Sequence, residues 1–168
     1  MQDLSKAKKI FFHCLGSKVA IDREYGDKYA IFKVPIEVEN EWKKEIMANL
    51  KYEINNSSGY ERFEAVNNYL QIVDHNEAIV FLIDILNGSR FDTFSIILIL
   101  ETLKQYLKRY KLHGLSKESV ELIQNIINKY KEKLLHDSIT IDKSYINSPY
   151  MHGYDFSDDS ILNRIKML

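Results

Sequence analysis

Two apolar runs, Ala78–Leu86 and Phe94–Leu100, stand almost back to back around Asn87-Gly88-Ser89-Arg90. Each is too apolar for a surface helix and too short for a bilayer, which takes about 20 consecutive residues. The pattern predicts two adjacent helices, buried on most sides and joined by a glycine turn. Upstream, Trp42, Ile46, Leu50 and Ile54 recur every four residues with Met47 beside them, while Glu37, Glu41, Lys43, Lys44 and Lys51 take the opposite face. That spacing predicts a helix starting just after Pro35, with Trp42 in its core stripe. Asn55–Gly59 breaks it, and Phe63, Val66, Leu70 and Val73 mark the next stripe. Asp74 or Asn76 is placed to cap the first buried helix. Ser89 and Asp92 resemble a capping box, so the second buried helix is expected to begin near Arg90 or Phe91. It should run through Leu103, Leu107 and Tyr110 and stop at His113-Gly114. Ser116, with Glu118 in the first turn, then opens a helix whose buried face holds Leu115, Val120, Ile123, Ile126, Ile127, Tyr130 and Leu134.

The two ends are patterned differently. Leu4 to Leu15 predicts a short helix closed by Gly16. Over 18–34, Val19-Ala20-Ile21 and Tyr29–Val34 flank Asp22–Asp27, which predicts a small β-hairpin or an irregular segment. From Asp137 to Ser160 the chain carries Tyr145, Tyr150, His152, Tyr154 and Phe156 among small and acidic residues, and Ser157 is placed to cap a last helix through Ile161, Leu162, Ile165 and Leu168. These aromatics suffice for the tail to pack down rather than stay disordered. The expected fold is all-α, a single domain over 1–168: an N-terminal helix and irregular segment (1–35), helical hairpins (36–136) and a Tyr-rich tail (137–168). Short breaks favour antiparallel neighbours, in a bundle or a solenoid-like array. Hairpins of this size approach HEAT or armadillo units of about 40–47 residues, although no sequence motif repeats.

Composition adds limits. Charge is abundant but balanced, net −1 over 168 residues, so it predicts neither nucleic-acid nor membrane binding. Cys14 is the single cysteine, which precludes an internal disulfide and suits a reducing compartment. The basic start and Ile10-Phe11-Phe12 are interrupted by His13, too soon for a secretory signal, so a cytoplasmic location is expected.

The chain carries no nucleophile elbow, phosphate-binding loop, dinucleotide fingerprint or H-E-x-x-H. His13, His75, His113, His136 and His152 are scattered, so no metal and no cofactor is expected. Glu41-Trp42-Lys43 imitates a nuclease E-x-K, but on a helix residues two apart diverge. Asp84 interrupts the first apolar run, and Glu77, Asp84 and Asn87 fall on one narrow side, which would keep it solvated. Three surfaces suit binding. Asp22, Arg23, Glu24 and Tyr25 form an acid–base–acid–aromatic cluster beside a glycine; alternatively Arg23 locks to a helix carboxylate while Tyr25 and Tyr29 pack inward. Positive charge gathers at Lys104–Lys111 and Lys129–Lys133, a face for an acidic partner or a solvated face near helix C-termini. The tail offers Tyr145, Tyr150, Tyr154, Asp155, Phe156, Asp158 and Asp159, aromatic anchors among acids that would steer a basic partner, or a tail packed over the helices.

Val19-Ala20-Ile21-Asp22-Arg23-Glu24-Tyr25-Gly26-Asp27-Lys28-Tyr29, then Glu39, Glu41-Trp42 and Glu45, with helical hairpins downstream, resembles the helical, HEAT-like immunity proteins of bacterial polymorphic toxin systems. The resemblance covers mainly Val19–Glu45. It implies a small cytoplasmic, non-enzymatic protein that neutralises a cognate toxin by occluding it, and it transfers no contact residues. The alternative expectation is a helical scaffold or regulatory domain binding a peptide or nucleic acid through its basic helix face. Oligomeric state is left open by the residues.

Overall fold

A computed structural model describes residues 4–88, 91–110 and 115–168. Among the described residues there are ten α-helices, one 3-10 turn and no strand, so the fold is all-α. No helix among them is long and apolar enough to cross a membrane. Contacts gather the chain into two compact units, one holding the chain through Asn56 with Glu64–Val73, the other Ser57–Phe63 with Asp74–Leu168.

In the first unit, helix α1 (Ser5–His13) packs on α4 (Ile36–Asn56), with Phe11 meeting Trp42 edge-on at 5.6 Å. Trp42, Ile46, Leu50 and Ile54 are all buried, as their four-residue spacing predicts. Each such burial is worth about 1.5–3 kcal/mol. Residues 18–34 are a correction: two short helices, α2 (Lys18–Glu24) and α3 (Asp27–Ala30), stand where a hairpin or irregular segment was expected. The cause is local. Ser17 Oγ accepts the Ala20 N–H at 3.3 Å and starts α2, and Gly26, at φ +44°, turns the chain into α3. Only Ile21 of α2 is buried and Val19 lies in solvent, so the alternation had no sheet face to fill.

Helix α5 (Gly59–Leu70) contributes residues to both units. Its buried positions are Gly59, Ala65, Val66 and Tyr69, while Phe63 and Leu70 are half-buried. The stripe is rotated from the expected one because Tyr69, amphipathic by composition, is wholly enclosed. Its ring lies 5.3 Å below the Lys51 ammonium.

In the second unit, α6 (His75–Gly88) packs on α7 (Thr93–Tyr110), and α7 on α8 (Lys117–His136). Asp74 is the cap of α6, accepting the N–H groups of Asn76 and Glu77 at 2.8 and 3.0 Å. Val80, Asp84 and Asn87 form the exposed side of an otherwise buried helix, so Asp84 is solvated. Every residue of α7 from Thr93 to Leu100 is buried. The helix starts at Thr93, later than Arg90 or Phe91, because Asp92 itself accepts the Phe94 and Ser95 N–H groups at 3.0 and 3.2 Å. Ser89, Arg90 and the expected stop at His113-Gly114 lie outside the described residues. Ser116 caps α8, whose Ile123, Ile126, Ile127, Tyr130 and Leu134 are buried, with Leu115 and Val120 half-buried. Tyr130 donates its hydroxyl proton to the Leu86 carbonyl at 2.6 Å.

The tail is folded. It forms α9 (Lys143–Asn147), a 3-10 turn (Pro149–Met151) and α10 (Asp158–Met167), which lies against α7 and α8 and buries Ile161 and Ile165 completely. Ser157 Oγ caps α10 through the Ser160 N–H. A hydroxyl from the tail also completes α5: Ser144 Oγ accepts the Tyr60 N–H at 2.8 Å. Gly59 makes that approach possible. It sits at φ +51°, and a Cβ there would overlap Ser144 Oγ and come within 2.6 Å of Asp142 Oδ1. Gly59→Ala is therefore expected to destabilise the protein by about 1–3 kcal/mol through strain and lost capping; chemical denaturation measures it, and an unchanged midpoint would show that the segment simply shifts.

Candidate functional site

The Tyr-rich tail combines an enclosed anchor with exposed rings. Tyr145, on α9, has no exposed surface and belongs to the core, so it offers a partner nothing in this conformation. Its ring meets Phe94 at 4.9 Å and Tyr60 at 6.2 Å, both edge-on, and Phe63 at 6.5 Å. Its hydroxyl is 2.9 Å from Ser95 Oγ. Ser95 gives its own proton to the Asp92 carboxylate, so the phenol is the donor in the pair. Burial raises the pKa of Tyr145, and the Asp92 and Asp142 charges add to that, against the Arg62 charge. Beside it, Thr93 and Thr140 exchange backbone and hydroxyl bonds, with the Thr140 N–H 2.8 Å from Thr93 Oγ1.

Asp142 caps α9 through the Ser144 N–H at 2.9 Å. That bond, those from the Ser144 and Ser58 hydroxyls and the nearby Arg62 charge hold its carboxyl below the usual range. The guanidinium of Arg62 also lies 5.0 Å above the Phe91 ring.

Around this anchor other aromatics reach the surface. Tyr150 stacks on Tyr60 at 6.0 Å and stays 77% exposed; Tyr154 stacks on Phe156 at 6.3 Å and stays 48% exposed. Phe156, half-buried, meets Phe94 at 5.0 Å. Arg164 holds the far side of this cluster: it grips Glu101 with two bonds of 3.0 and 2.6 Å while lying over Phe94 at 4.9 Å and Tyr154 at 5.5 Å. Asp155, Asp158 and Asp159 are exposed, and among the described residues no cation pairs with them. Asp155 accepts the Ser157 N–H at 2.9 Å, which lowers its pKa. Asp158 and Asp159 occupy the first turn of α10, where negative charge suits the helix dipole.

Asp22, Arg23, Glu24 and Tyr25 belong to the first unit, at the end of α2. Arg23 pairs with its neighbour Glu24 at 3.0 Å, and His13 lies 3.5 Å from the same carboxylate. Tyr25 rests edge-on against His13 at 6.0 Å, leaving Asp22, Arg23 and Glu24 exposed. Tyr29 does pack inward, its hydroxyl donating to Glu39 at 2.8 Å; burial and that carboxylate raise its pKa. Cys14 is buried, and burial raises its thiol pKa, so it is a poor nucleophile. Glu41 and Lys43 are exposed on α4, diverging as residues two apart on a helix must. No group of three or more metal-binding side chains gathers among the described residues.

The basic face of α7 borders a groove of about 550 Å³ in the second unit. Lys104 and Lys108 line it with Leu107 from the same helix and Val120 from α8. Lys104 donates to the Met167 carbonyl and Lys131 to the Lys166 carbonyl at 2.7 Å, so both neutralise the C-terminal end of α10. Lys111 lies outside the described residues.

The sequence pattern passed over Tyr60, Glu101 and Arg164, and read Phe94 only as a core position. The partner of Arg164 lies on α7, 63 residues away, so the spacing along α10 carries no sign of it. Compared with known proteins, the chain matches no family model, no curated protein and no solved structure.

Two outcomes follow from the anchor. Tyr145→Phe should cost about 1 kcal/mol for the lost hydroxyl bond, and Tyr145→Ala about 3–5 kcal/mol, with protease cleavage appearing between residues 137 and 160. For Asp142 the folded pKa lies below the ordinary 3.8. Its contribution is therefore complete above that value and is lost as pH falls through the folded pKa. Urea titrations at successive pH values should show a smaller acid-side loss of stability in Asp142→Asn than in wild type.

Proposed function

We propose that this protein is a non-enzymatic, cytoplasmic binding protein that neutralises a cognate bacterial toxin by covering its active surface. The observation that supports this reading is the division of labour in the tail. Tyr145 is buried and fastens the segment, while Tyr150 and Tyr154 remain exposed beside Asp155, Asp158 and Asp159. A tyrosine held in place loses little entropy on binding and contributes a large amphipathic contact. Carboxylates around such anchors raise the encounter rate with a basic partner. Asp22, Arg23 and Glu24 are the candidate second contact, with Tyr25 held behind them against His13. The same reading takes α6, α7 and α8, each packed on the next, as successive helical hairpins of a bundle or short solenoid-like array.

Co-expression with the product of the adjacent toxin-like gene tests the proposal. Growth should be rescued and the two proteins should co-purify; failure of both would refute the reading. In the complex, Tyr150→Ala and Tyr154→Ala should accelerate dissociation, each by about tenfold or more. Replacing Asp155, Asp158 and Asp159 together with Asn should instead slow association by about tenfold at low salt, an effect that fades as salt rises. Stopped-flow measurements separate the two.

A further inference from the structure

On α7, Glu101, Lys104, Gln105 and Lys108 follow the i, i+3, i+4, i+7 rule and share one helix face about 10 Å long. Val120 and Gln124, one turn apart on α8, complete a groove with them whose volume of about 550 Å³ falls within the range of sites that hold small ligands and peptide side chains. Its charge is one-sided. The Glu101 carboxylate is already held in the two-bond grip of Arg164. Lys104 donates to the Met167 carbonyl, and among the described residues no carboxylate pairs with it. Lys108 is exposed, and among the described residues no carboxylate pairs with it. Leu107 and Val120 supply the apolar part of the lining, and the two glutamine amides supply donors and acceptors.

We infer that this groove binds a short acidic–apolar peptide segment of a partner protein. Carboxylates of the peptide meet Lys104 and Lys108, an apolar side chain enters between Leu107 and Val120, and Gln105 and Gln124 bond its backbone. The length of the face suits about three residues of extended chain at roughly 3.3 Å each. Nucleic acid fits poorly. Among the described residues no aromatic ring lines the groove to stack a base, and the two ammonium groups there are few for tracking a phosphate backbone. The site is distinct from the tail surface and does not depend on the toxin-neutralising reading.

Fluorescence anisotropy with three labelled probes tests this on the full-length protein: an octapeptide alternating glutamate and leucine, its lysine–leucine counterpart, and a single-stranded octanucleotide. The glutamate–leucine probe should bind saturably and weaken with salt, and the other two should not bind. Lys108→Glu should weaken that binding about tenfold, and Val120→Ser should weaken it as well. Replacing Asp158 and Asp159 with Asn should leave it unchanged, which separates this groove from the tail. Circular dichroism confirms that each variant keeps its helices. Absence of binding, an equal response to the lysine–leucine probe, tighter binding of the oligonucleotide, or indifference to Lys108→Glu would each overturn the inference. So would a self-associated protein whose dimer dissociates in Lys108→Glu, since the groove would then be filled by a second copy.

Discussion

A phenol that loses all contact with water must keep a partner for its hydroxyl, or it forfeits about 1–3 kcal/mol of solvation. The second unit is arranged to meet that demand at Tyr145. The partner, Ser95, is itself bonded to Asp92, and Asp92 is the residue that starts α7. Thr93, between them, bonds to Thr140 of the tail. Three residues within one turn, Asp92, Thr93 and Ser95, therefore initiate a deeply buried helix and fasten the segment that covers it. Thr93 and Ser95 are buried in otherwise apolar surroundings, Asp92 and Thr140 lie at their edge, and each makes at least one bond. Their geometry sets where the tail docks more sharply than apolar contact alone would, because hydrogen bonds fail beyond a few tenths of an ångström while dispersion does not.

Regular spacing was the legible part of the chain. The stripes of α4 and α8 and the paired runs of α6 and α7 are repeated apolar positions whose helical period carries their meaning, and the observed burial follows it. Legibility faded where one residue carried two chemistries. Tyr69 and Tyr145 count as polar or apolar depending on whether the hydroxyl finds a partner, and that of Tyr145 lies 50 residues away. The 18–34 segment misled for another reason: β-branched and aromatic residues suit a strand only when a second strand exists to pair with. Here a single serine cap and one left-handed glycine decided the conformation. The pairing of Arg164 with Glu101, 63 residues apart, had no local signature at all.

At the candidate surfaces the sequence indicated composition and the fold supplied roles. Seven tail residues looked alike as aromatic or acidic. Folding separates them into a buried anchor, a half-buried support in Phe156, two exposed rings and three solvated carboxylates. A contact surface built in this way is stiff because its rings rest on one another: Tyr150 on Tyr60, and Tyr154 on Phe156. The charged groups divide as well. The cations on α7 and α8 are partly engaged with the last carbonyls of α10, whereas the acids of the tail face solvent, so a chain of almost zero net charge presents local fields of both signs.

The hydroxyl that completes α5 has a consequence for how the chain is born. Ser144 lies 84 residues beyond the Tyr60 amide that it accepts. At about 5–20 residues per second, a ribosome delivers that serine roughly 4–17 seconds after the start of the helix. Throughout that interval the Tyr60 N–H lacks the Ser144 hydroxyl, and the N-terminal turn of α5 forms without that cap. The same glycine that admits the tail so closely thus makes one helix wait for a segment translated 84 residues later.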